Sequence, residues 1–138
     1  MRAWWVAAAT LGLATSVQAS DLGCSAATIK GAYALSGSGF QGTGAHQIPV
    51  AVVRLALFDG VGGFRGEGWV AIGGASQQFS SDGTYRVRKN CTVTMEGAIT
   101  VGNVNRQFGV IVDGGRKIET IRTDPGQTIV LTYERVGD

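Results

Sequence analysis

The sequence predicts an all-β protein: a single antiparallel meander of about eight or nine strands closed into a small barrel, after a cleaved signal peptide. From Ser20 onward, short runs rich in Val, Ile, Thr, Tyr and Phe are interrupted at regular intervals by Gly, Asn and Asp. This is the pattern of strands joined by tight turns, and no segment there shows the spacing of an amphipathic helix. Because a flat sheet of nine strands would expose long edges, we expect the meander to close on itself.

The first 19 residues have the composition of a secretory signal peptide. Arg2 supplies a positive start, residues 3–15 are almost wholly apolar, and Val17 and Ala19 place small residues where signal peptidase reads them. The apolar run is too short for a stable membrane anchor. We therefore predict cleavage before Ser20, a single domain over residues 20–138, no integral membrane segment after cleavage, and a periplasmic or secreted protein.

The charge of the predicted mature chain gives no reason to expect a nucleic-acid partner. The full sequence has 12 Lys and Arg against 10 Asp and Glu, and removal of Arg2 leaves 11 basic residues and a formal charge of +1. Binding to nucleic acid or to an anionic membrane would call for a concentrated basic patch. The remaining 119 residues are enough for one core and one domain.

Both cysteines, Cys24 and Cys91, lie in the predicted mature chain. Two thiols in an oxidising compartment are expected to form a disulfide. The bond would close a loop of 66 intervening residues and stabilise the fold by about 4 kcal/mol. The alternative is a lipoprotein acylated at Cys24. Gly23 fits that motif, but Asp21 stands where an aliphatic residue is needed.

Nine strands are predicted, each a run of β-branched, aromatic or aliphatic residues between turn-forming residues. In chain order they are Ile29–Gly37, Ile48–Phe58, Phe64–Ile72, Ser76–Ser81, Thr84–Arg88, Thr92–Thr100, Asn105–Val112, Lys117–Asp124 and Thr128–Val136. Asp-Gly pairs, which tolerate the positive φ of hairpin turns, are found at Asp59-Gly60, Asp82-Gly83 and Asp113-Gly114. The other breaks are Arg88-Lys89-Asn90, Gly102-Asn103 and Asp124-Pro125-Gly126.

Alternation along two strands indicates a barrel with one buried face. From Cys91 through the sixth predicted strand, the odd-numbered residues to Ile99 are apolar or small and share one face, while Thr92, Thr94, Glu96 and Thr100 lie on the other. In the seventh, Phe108, Val110 and Val112 are expected to face the core in the same way. An outer-membrane barrel is disfavoured, because several strands are shorter than the roughly ten residues it needs and aromatic residues are few.

The longest irregular segment is predicted at Gly37–Gln47 and contains the only histidine, His46. The glycines at its start match the dinucleotide-binding pattern, but a strand rather than a helix follows, so no cofactor is predicted. One histidine without neighbouring Cys, Asp or Glu cannot form a metal site, and no metal is predicted. We expect His46 to be a solvated loop residue, with a contact to a ligand or a lone general base as the alternative.

Charged residues inside predicted strands are the candidates for a site within the barrel. Arg54 interrupts an apolar strand and by alternation shares a face with Val52 and Phe58. Pointing inward, it would need a carboxylate partner such as Glu67 or Glu96. Arg54, Glu67 and Glu96 are therefore the candidate catalytic residues. The alternative is cross-strand ion pairs on the solvated outside.

Trp69 is the only tryptophan of the predicted mature chain. It shares a strand face with Glu67 and Ala71. We expect it to pack in the core, with a platform for a ligand as the alternative.

Several stretches resemble an uncharacterised family of small exported bacterial β-barrel proteins. They are Leu55–Gly63, Asp82–Thr92, Phe108–Gly115 with Thr123–Gly126, and the opening Cys24-Ser25 with Lys30–Tyr33. The resemblance covers nearly all of the predicted mature chain, and its motifs are signatures of turns and strands. Members of this family are more distantly similar to the eight-stranded barrels of allene oxide cyclases and dirigent proteins. The resemblance implies a barrel that could hold an apolar small molecule. It assigns no catalytic residue, because no local motif of the cyclase is matched.

Three functions are consistent with these observations. The first is a non-catalytic binding or envelope protein for a small apolar ligand. The second is a cyclase or isomerase that acts on a flexible apolar substrate inside the barrel, since preorganisation needs few catalytic side chains. The third is a surface interaction protein that uses the Gly37–Gln47 loop. A buried charged cluster would favour the enzyme, whereas an interior filled by side chains would exclude both cavity functions.

Overall fold

The computed structural model describes residues 21–99 and 104–137. Within these ranges the chain consists of eight strands and three short 3₁₀ turns, which confirms the predicted all-β class. The strands are β1 (Gly31–Gln41), β2 (Ile48–Phe58), β3 (Gly63–Ile72), β4 (Ala75–Val87), β5 (Thr92–Ile99), β6 (Val104–Val112), β7 (Lys117–Arg122) and β8 (Gln127–Gly137). The 3₁₀ turns are Ala26–Ile29, Gly44–His46 and Asp113–Gly115.

The eight strands form a closed antiparallel barrel in which each strand pairs with its neighbours in the sequence. Strands β1 and β8 complete the closure along a seam that runs from Ala32 opposite Gly137 to Gln41 opposite Gln127. The predicted barrel is therefore confirmed. Closure removes the exposed edges that a flat sheet of this size would carry.

The strand count is eight rather than nine because two predicted strands are one. Ser76–Ser81 and Thr84–Arg88 both belong to the long strand β4, so the hairpin turn predicted at Asp82-Gly83 is wrong. Neither residue has a positive φ, and Gly83 pairs with residues of both neighbouring strands. A Cβ atom at Gly83 would lie 2.1 Å from the carbonyl oxygen of Glu96. Glycine here permits the close approach of two strands rather than a chain reversal.

The other two Asp-Gly turns are confirmed. Oδ1 of Asp59 accepts hydrogen bonds from the backbone N–H groups of Val61 at 2.8 Å and Gly63 at 2.9 Å, which closes the connection between β2 and β3. These hydrogen bonds hold the pKa of Asp59 below its usual value. Asp113 and Gly114, between β6 and β7, have φ values of 52° and 63°, in the region that tight hairpin turns require.

The loop predicted at Gly37–Gln47 is shorter in the structure. Strand β1 continues to Gln41, and only residues 42–47 connect it to β2. Gly37 and Gly39 pair with both β2 and β8. Glycine is needed at both positions because the backbone of β8 passes close by. A Cβ atom at Gly39, for example, would lie 1.9 Å from the carbonyl oxygen of Thr128.

The predicted disulfide is present and ties the N-terminal segment to the barrel. Cys24 and Cys91 are bonded with their Cα atoms 5.0 Å apart. Cys91 lies in the connection between β4 and β5, where it adopts a positive φ of 64°. The bond occupies the thiol that the lipoprotein alternative would acylate.

The same N-terminal segment closes one end of the barrel. Ile29, the last residue of the first 3₁₀ turn, is fully buried in the core. Arg135 of β8 donates hydrogen bonds to the carbonyl oxygens of Thr28 at 3.1 Å and Lys30 at 2.5 Å. Its guanidinium also lies over the ring of Tyr33. Side chains and backbone thus fill this end, called the closed end below.

Aromatic rings pack in the half of the barrel next to the closed end. The ring of Phe58 lies 5.2–5.9 Å, between centroids, from the rings of Tyr33, Phe64, Tyr85 and Tyr133. Three of the four contacts are edge-on, an arrangement that aromatic quadrupoles favour. This aromatic cluster forms the centre of the core.

The predicted burial is correct for β5 and wrong for β6. In β5 the inward residues include Met95, as expected. In β6, by contrast, Phe108, Val110 and Val112 point outward, and Gln107 points inward. Strand β6 carries apolar residues on both faces, so the strand register rather than polarity decides which face is buried.

Two predictions lie outside the described residues. These are the signal peptide over residues 1–19 with its cleavage before Ser20, and the turn at Gly102-Asn103. Across residues 21–99 and 104–137, the structure has no helix long and apolar enough to cross a membrane.

Candidate functional site

The end of the barrel opposite the closed end contains a cavity of about 170 Å³. This open end carries the connections 42–47, 73–74 and 123–126. Apolar side chains form most of the cavity wall: Leu35, Val50, Val52, Val70, Ile72, Phe79, Ile99, Ile129 and Leu131. The polar side chains that line it are Gln41, Arg54, Asn105, Gln107, Arg122 and Gln127.

The cavity has room for a ligand body about the size of one six-membered ring. For comparison, an apolar protein cavity of about 150 Å³ can hold a benzene molecule. A ring in this position would remove apolar surface of both partners from water, at about 25 cal/mol per Å². The open half of the barrel therefore has space for a small apolar group.

Arg54 lies at the inner limit of this cavity. On the same strand, Val50 and Val52 line the cavity towards the open end, while Phe58 belongs to the aromatic cluster on the other side. Only 5% of Arg54 is exposed. The prediction that Arg54 points into the barrel is thus confirmed.

The partners of Arg54 differ from the prediction, because those among the described residues are uncharged. Nη1 donates a hydrogen bond to Oγ of Ser81, and Nη2 donates one to the hydroxyl of Tyr133 at 3.2 Å. The guanidinium carbon lies 5.6 Å from the ring centroid of Phe64. Nε is buried and has no hydrogen-bond partner in the described part of the chain. The expected carboxylate partner is not found among the described residues, so no opposite charge from this part of the chain balances the guanidinium.

The second arginine at the cavity, Arg122, is paired with a carboxylate of the protein. Its Nη2 and Nε lie 2.9 Å and 3.2 Å from Oδ2 of Asp124, and the same oxygen accepts the backbone N–H of Arg106 at 2.8 Å. Burial raises the pKa of Asp124, but the Arg106 N–H and the Arg122 guanidinium outweigh it and lower the pKa overall. Asp124 is therefore ionised at neutral pH and balances Arg122.

A buried polar network adjoins Arg54. Oε1 of Gln107 accepts hydrogen bonds from the Tyr133 hydroxyl at 3.0 Å and from Oγ1 of Thr120 at 2.9 Å. Burial raises the pKa of Tyr133, more than the nearby Arg54 charge and the Gln107 contact lower it. The neutral hydroxyl donates to Gln107 and offers its oxygen to Arg54. This network positions Arg54 and Gln107, which line the cavity and form its polar floor.

Glu67 and Glu96 lie on the outer surface, so the prediction that one of them pairs with Arg54 is wrong. Inward and outward positions alternate along each strand, and the inward neighbour of Glu67 is Gly68. Glu96 instead forms an ion pair with Arg106 on the adjacent strand, with Oε2 and Nε 3.5 Å apart. This is the outer cross-strand pair that the sequence allowed as the alternative.

The two other candidate residues also lie outside the cavity. Trp69 is 57% exposed on the outer face of β3, so its predicted packing in the core is wrong. The inward positions beside it belong to Gly68 and Val70, and the register leaves the indole no place inside. His46 is exposed in the 3₁₀ turn of the 42–47 connection, as expected for a solvated loop residue.

Sequence reasoning missed the uncharged residues of the polar network around Arg54. These are Ser81, Gln107, Thr120 and Tyr133. The sequence signal that could have found them is weak: each residue occupies an inward position in the alternation of its strand. Thr120, for example, follows two residues after the buried Ile118.

Comparisons of the chain with protein-family models, curated proteins and solved structures found no match. The resemblance to exported barrels and to the allene oxide cyclase and dirigent folds therefore stays a prediction. Among the described residues, no group of three His, Cys, Asp or Glu side chains is arranged to hold a metal ion. The fold and the site thus define a small closed β-barrel with a mainly apolar cavity at one end and a charged group at its floor.

Proposed function

We propose that this protein is an exported, non-catalytic β-barrel that binds a small, mainly apolar molecule in the cavity at its open end. The proposal is carried by the cavity itself. The aromatic cluster fills the other half of the barrel, so the open end is where the interior has space for a ligand. A concave, mostly apolar site with a few convergent polar groups is the usual form of a small-molecule site.

The disulfide supports a place of action in the periplasm or outside the cell. Disulfides persist in oxidising compartments and are rare in the cytosol. The bond between Cys24 and Cys91 and the predicted signal peptide over residues 1–19 point to the same destination.

The chemistry of the cavity floor favours binding over turnover. An arginine keeps its proton in proteins, and burial raises the pKa of Tyr133 further from neutrality. Neither group is therefore suited to exchange a proton at neutral pH. Glu67 and Glu96, the carboxylates considered for a cyclase or isomerase, lie on the outside.

A cavity-filling variant tests the proposal. Val70 lines the cavity, and the Val70→Phe substitution should occupy the space that a ligand needs. Val53→Phe is the matched control, because Val53 is exposed on the outer face of the neighbouring strand. Binding is measured by NMR titration with benzamide, a neutral ring-sized probe, and by native mass spectrometry of protein isolated from its own compartment.

We expect wild type and Val53→Phe to bind benzamide and to retain the same co-purified molecule, and Val70→Phe to do neither. Equal binding by the two variants would place the ligand elsewhere. If wild type neither binds the probe nor carries a molecule, the proposed function is wrong.

A further inference from the structure

We propose that the natural ligand carries a carboxylate and that Arg54 binds this group at the floor of the cavity. The inference rests on the proposed function and adds to it the charge of the ligand and the residue that recognises it. The class of ligand is a small organic acid with an apolar, ring-sized body.

The first argument is the buried charge of Arg54. An ionised side chain removed from water is costly unless an opposite charge and hydrogen bonds replace its hydration. The described partners of Arg54 are the hydroxyls of Ser81 and Tyr133 and the ring of Phe64, all without charge. A carboxylate in the cavity would supply the missing charge where the side chain already faces.

The second argument is the set of free donors on the guanidinium. Arginine has five N–H donors in a planar fork, and the described contacts use one on Nη1 and one on Nη2. Nε is buried without a partner in the described ranges. A carboxylate can accept two parallel hydrogen bonds from such a fork, which is the strongest form of this contact.

The third argument is the contrast with Arg122. Both arginines line the same cavity, but Arg122 is held by Asp124 through two hydrogen bonds. The charge of that pair is balanced within the protein. Among the described residues, Arg54 is the cavity cation whose charge is left for a ligand. It lies at the inner end of the cavity, so an apolar body attached to the carboxylate would extend along the apolar wall.

The size of the cavity sets the body of the acid. A volume of about 170 Å³ is close to the roughly 150 Å³ that accommodates a benzene ring. Benzoate is therefore a suitable probe. Benzamide is its matched control, because it has nearly the same shape and no charge.

The experiment measures the dissociation constants of benzoate and benzamide at pH 7 by calorimetry or NMR titration. The proteins are wild type and the Arg54→Met, Arg54→Lys and Arg86→Met variants. Arg86→Met is the control, because Arg86 is exposed on the outer face of β4. A charge-assisted bidentate contact should make wild type prefer benzoate by about tenfold or more. Arg54→Met should bind both probes equally, Arg54→Lys should show an intermediate preference because it keeps the charge without the fork, and Arg86→Met should match wild type.

Two results would overturn the inference and leave the proposed function standing. One is that wild type binds benzamide as tightly as benzoate. This comparison does not depend on whether any variant folds. The other is that the Arg54→Met variant keeps the wild-type preference for benzoate over benzamide. A purely structural Arg54 would also show itself as a lower melting temperature of Arg54→Met with no change in that preference. If neither probe binds wild type, the inference fails, and the proposed function fails with it when native mass spectrometry also finds no retained molecule.

Discussion

Arg54 and Gly68 face each other across strands β2 and β3, and Gly68 leaves space for the arginine side chain inside the barrel. A Cβ atom at Gly68 would lie 2.6 Å from Cα and 2.9 Å from Cβ of Arg54. Two residues earlier in β3, a Cβ atom at Gly66 would lie 3.3 Å from Cδ of Arg54. The inward positions of β3 beside Arg54 are thus kept free of side chains, and the polar floor depends on these two glycines.

The Gly68→Ala substitution should destabilise the barrel by about 1–3 kcal/mol, because backbone atoms must move to admit the methyl group. The nearest obstacle is the carbonyl oxygen of Val53, only 2.1 Å from the added Cβ atom. Gly137→Ala is the control, since a Cβ atom there meets nothing within 4 Å. Urea unfolding measures both variants, and equal stability of the two would show that the barrel tolerates a side chain beside Arg54.

Loss of the disulfide should lower the free energy of unfolding by about 4 kcal/mol, because the bond closes a long loop in the unfolded chain. Cys24 and Cys91 are 67 positions apart in the sequence. The measurement compares oxidised protein with the Cys24→Ala/Cys91→Ala variant in urea. Intact mass of the exported protein should give a chain that begins at Ser20 with one disulfide, and two free thiols or a lipid on Cys24 would contradict this.

The Asp124→Asn substitution should weaken the fold at neutral pH and have less effect in acid. The pKa of Asp124 is lowered in the folded state, so its contribution is present above its ordinary pKa of about 3.9 and is lost as the pH falls through the folded value. The difference in unfolding free energy between wild type and the variant should therefore shrink from pH 7 to pH 2. Asp82→Asn, at an exposed carboxylate of β4, is the control. A difference that stays constant with pH would mean that the charge of Asp124 contributes nothing.

The Arg135→Met substitution should loosen the closed end of the barrel. Besides its contacts with Thr28 and Lys30, Arg135 donates hydrogen bonds to the carbonyl oxygen of Gly115 at 3.2 Å and to the Tyr33 hydroxyl at 2.7 Å. Carbonyl groups left without a donor cost about 1–3 kcal/mol. Hydrogen exchange of residues 26–30 should become faster, while Arg86→Met should leave it unchanged. Unaltered exchange in Arg135→Met would assign closure to the disulfide and Ile29 alone.

Most of the fold could be predicted because turn chemistry and strand composition are local. The hairpin at Asp59-Gly60 needs only one carboxylate and two following N–H groups, all within five residues. The error at Asp82-Gly83 arises because the role of that pair depends on a contact distant in the sequence. The same dipeptide there serves a contact with Glu96 on the next strand, and nothing in the local sequence distinguishes the two uses.

The site was less predictable because it depends on strand register. Alternation along β2 correctly placed Arg54 inside, since its strand is apolar on that face. Its partners come from three other strands, namely Ser81 of β4, Phe64 of β3 and Tyr133 of β8. Which residues meet across the barrel is fixed by pairing offsets, and a shift of one residue exchanges the inner and outer faces.

The seam between β1 and β8 has a kinetic consequence. Because it joins the first strand to the last, its two strands are far apart in the sequence, and such long-range closure is slow. Until then, two strand edges are open to pairing with other molecules. The yield of refolded protein should therefore fall with concentration much more steeply than its equilibrium stability implies, and the folding chain is most vulnerable to aggregation in the interval before β8 reaches β1.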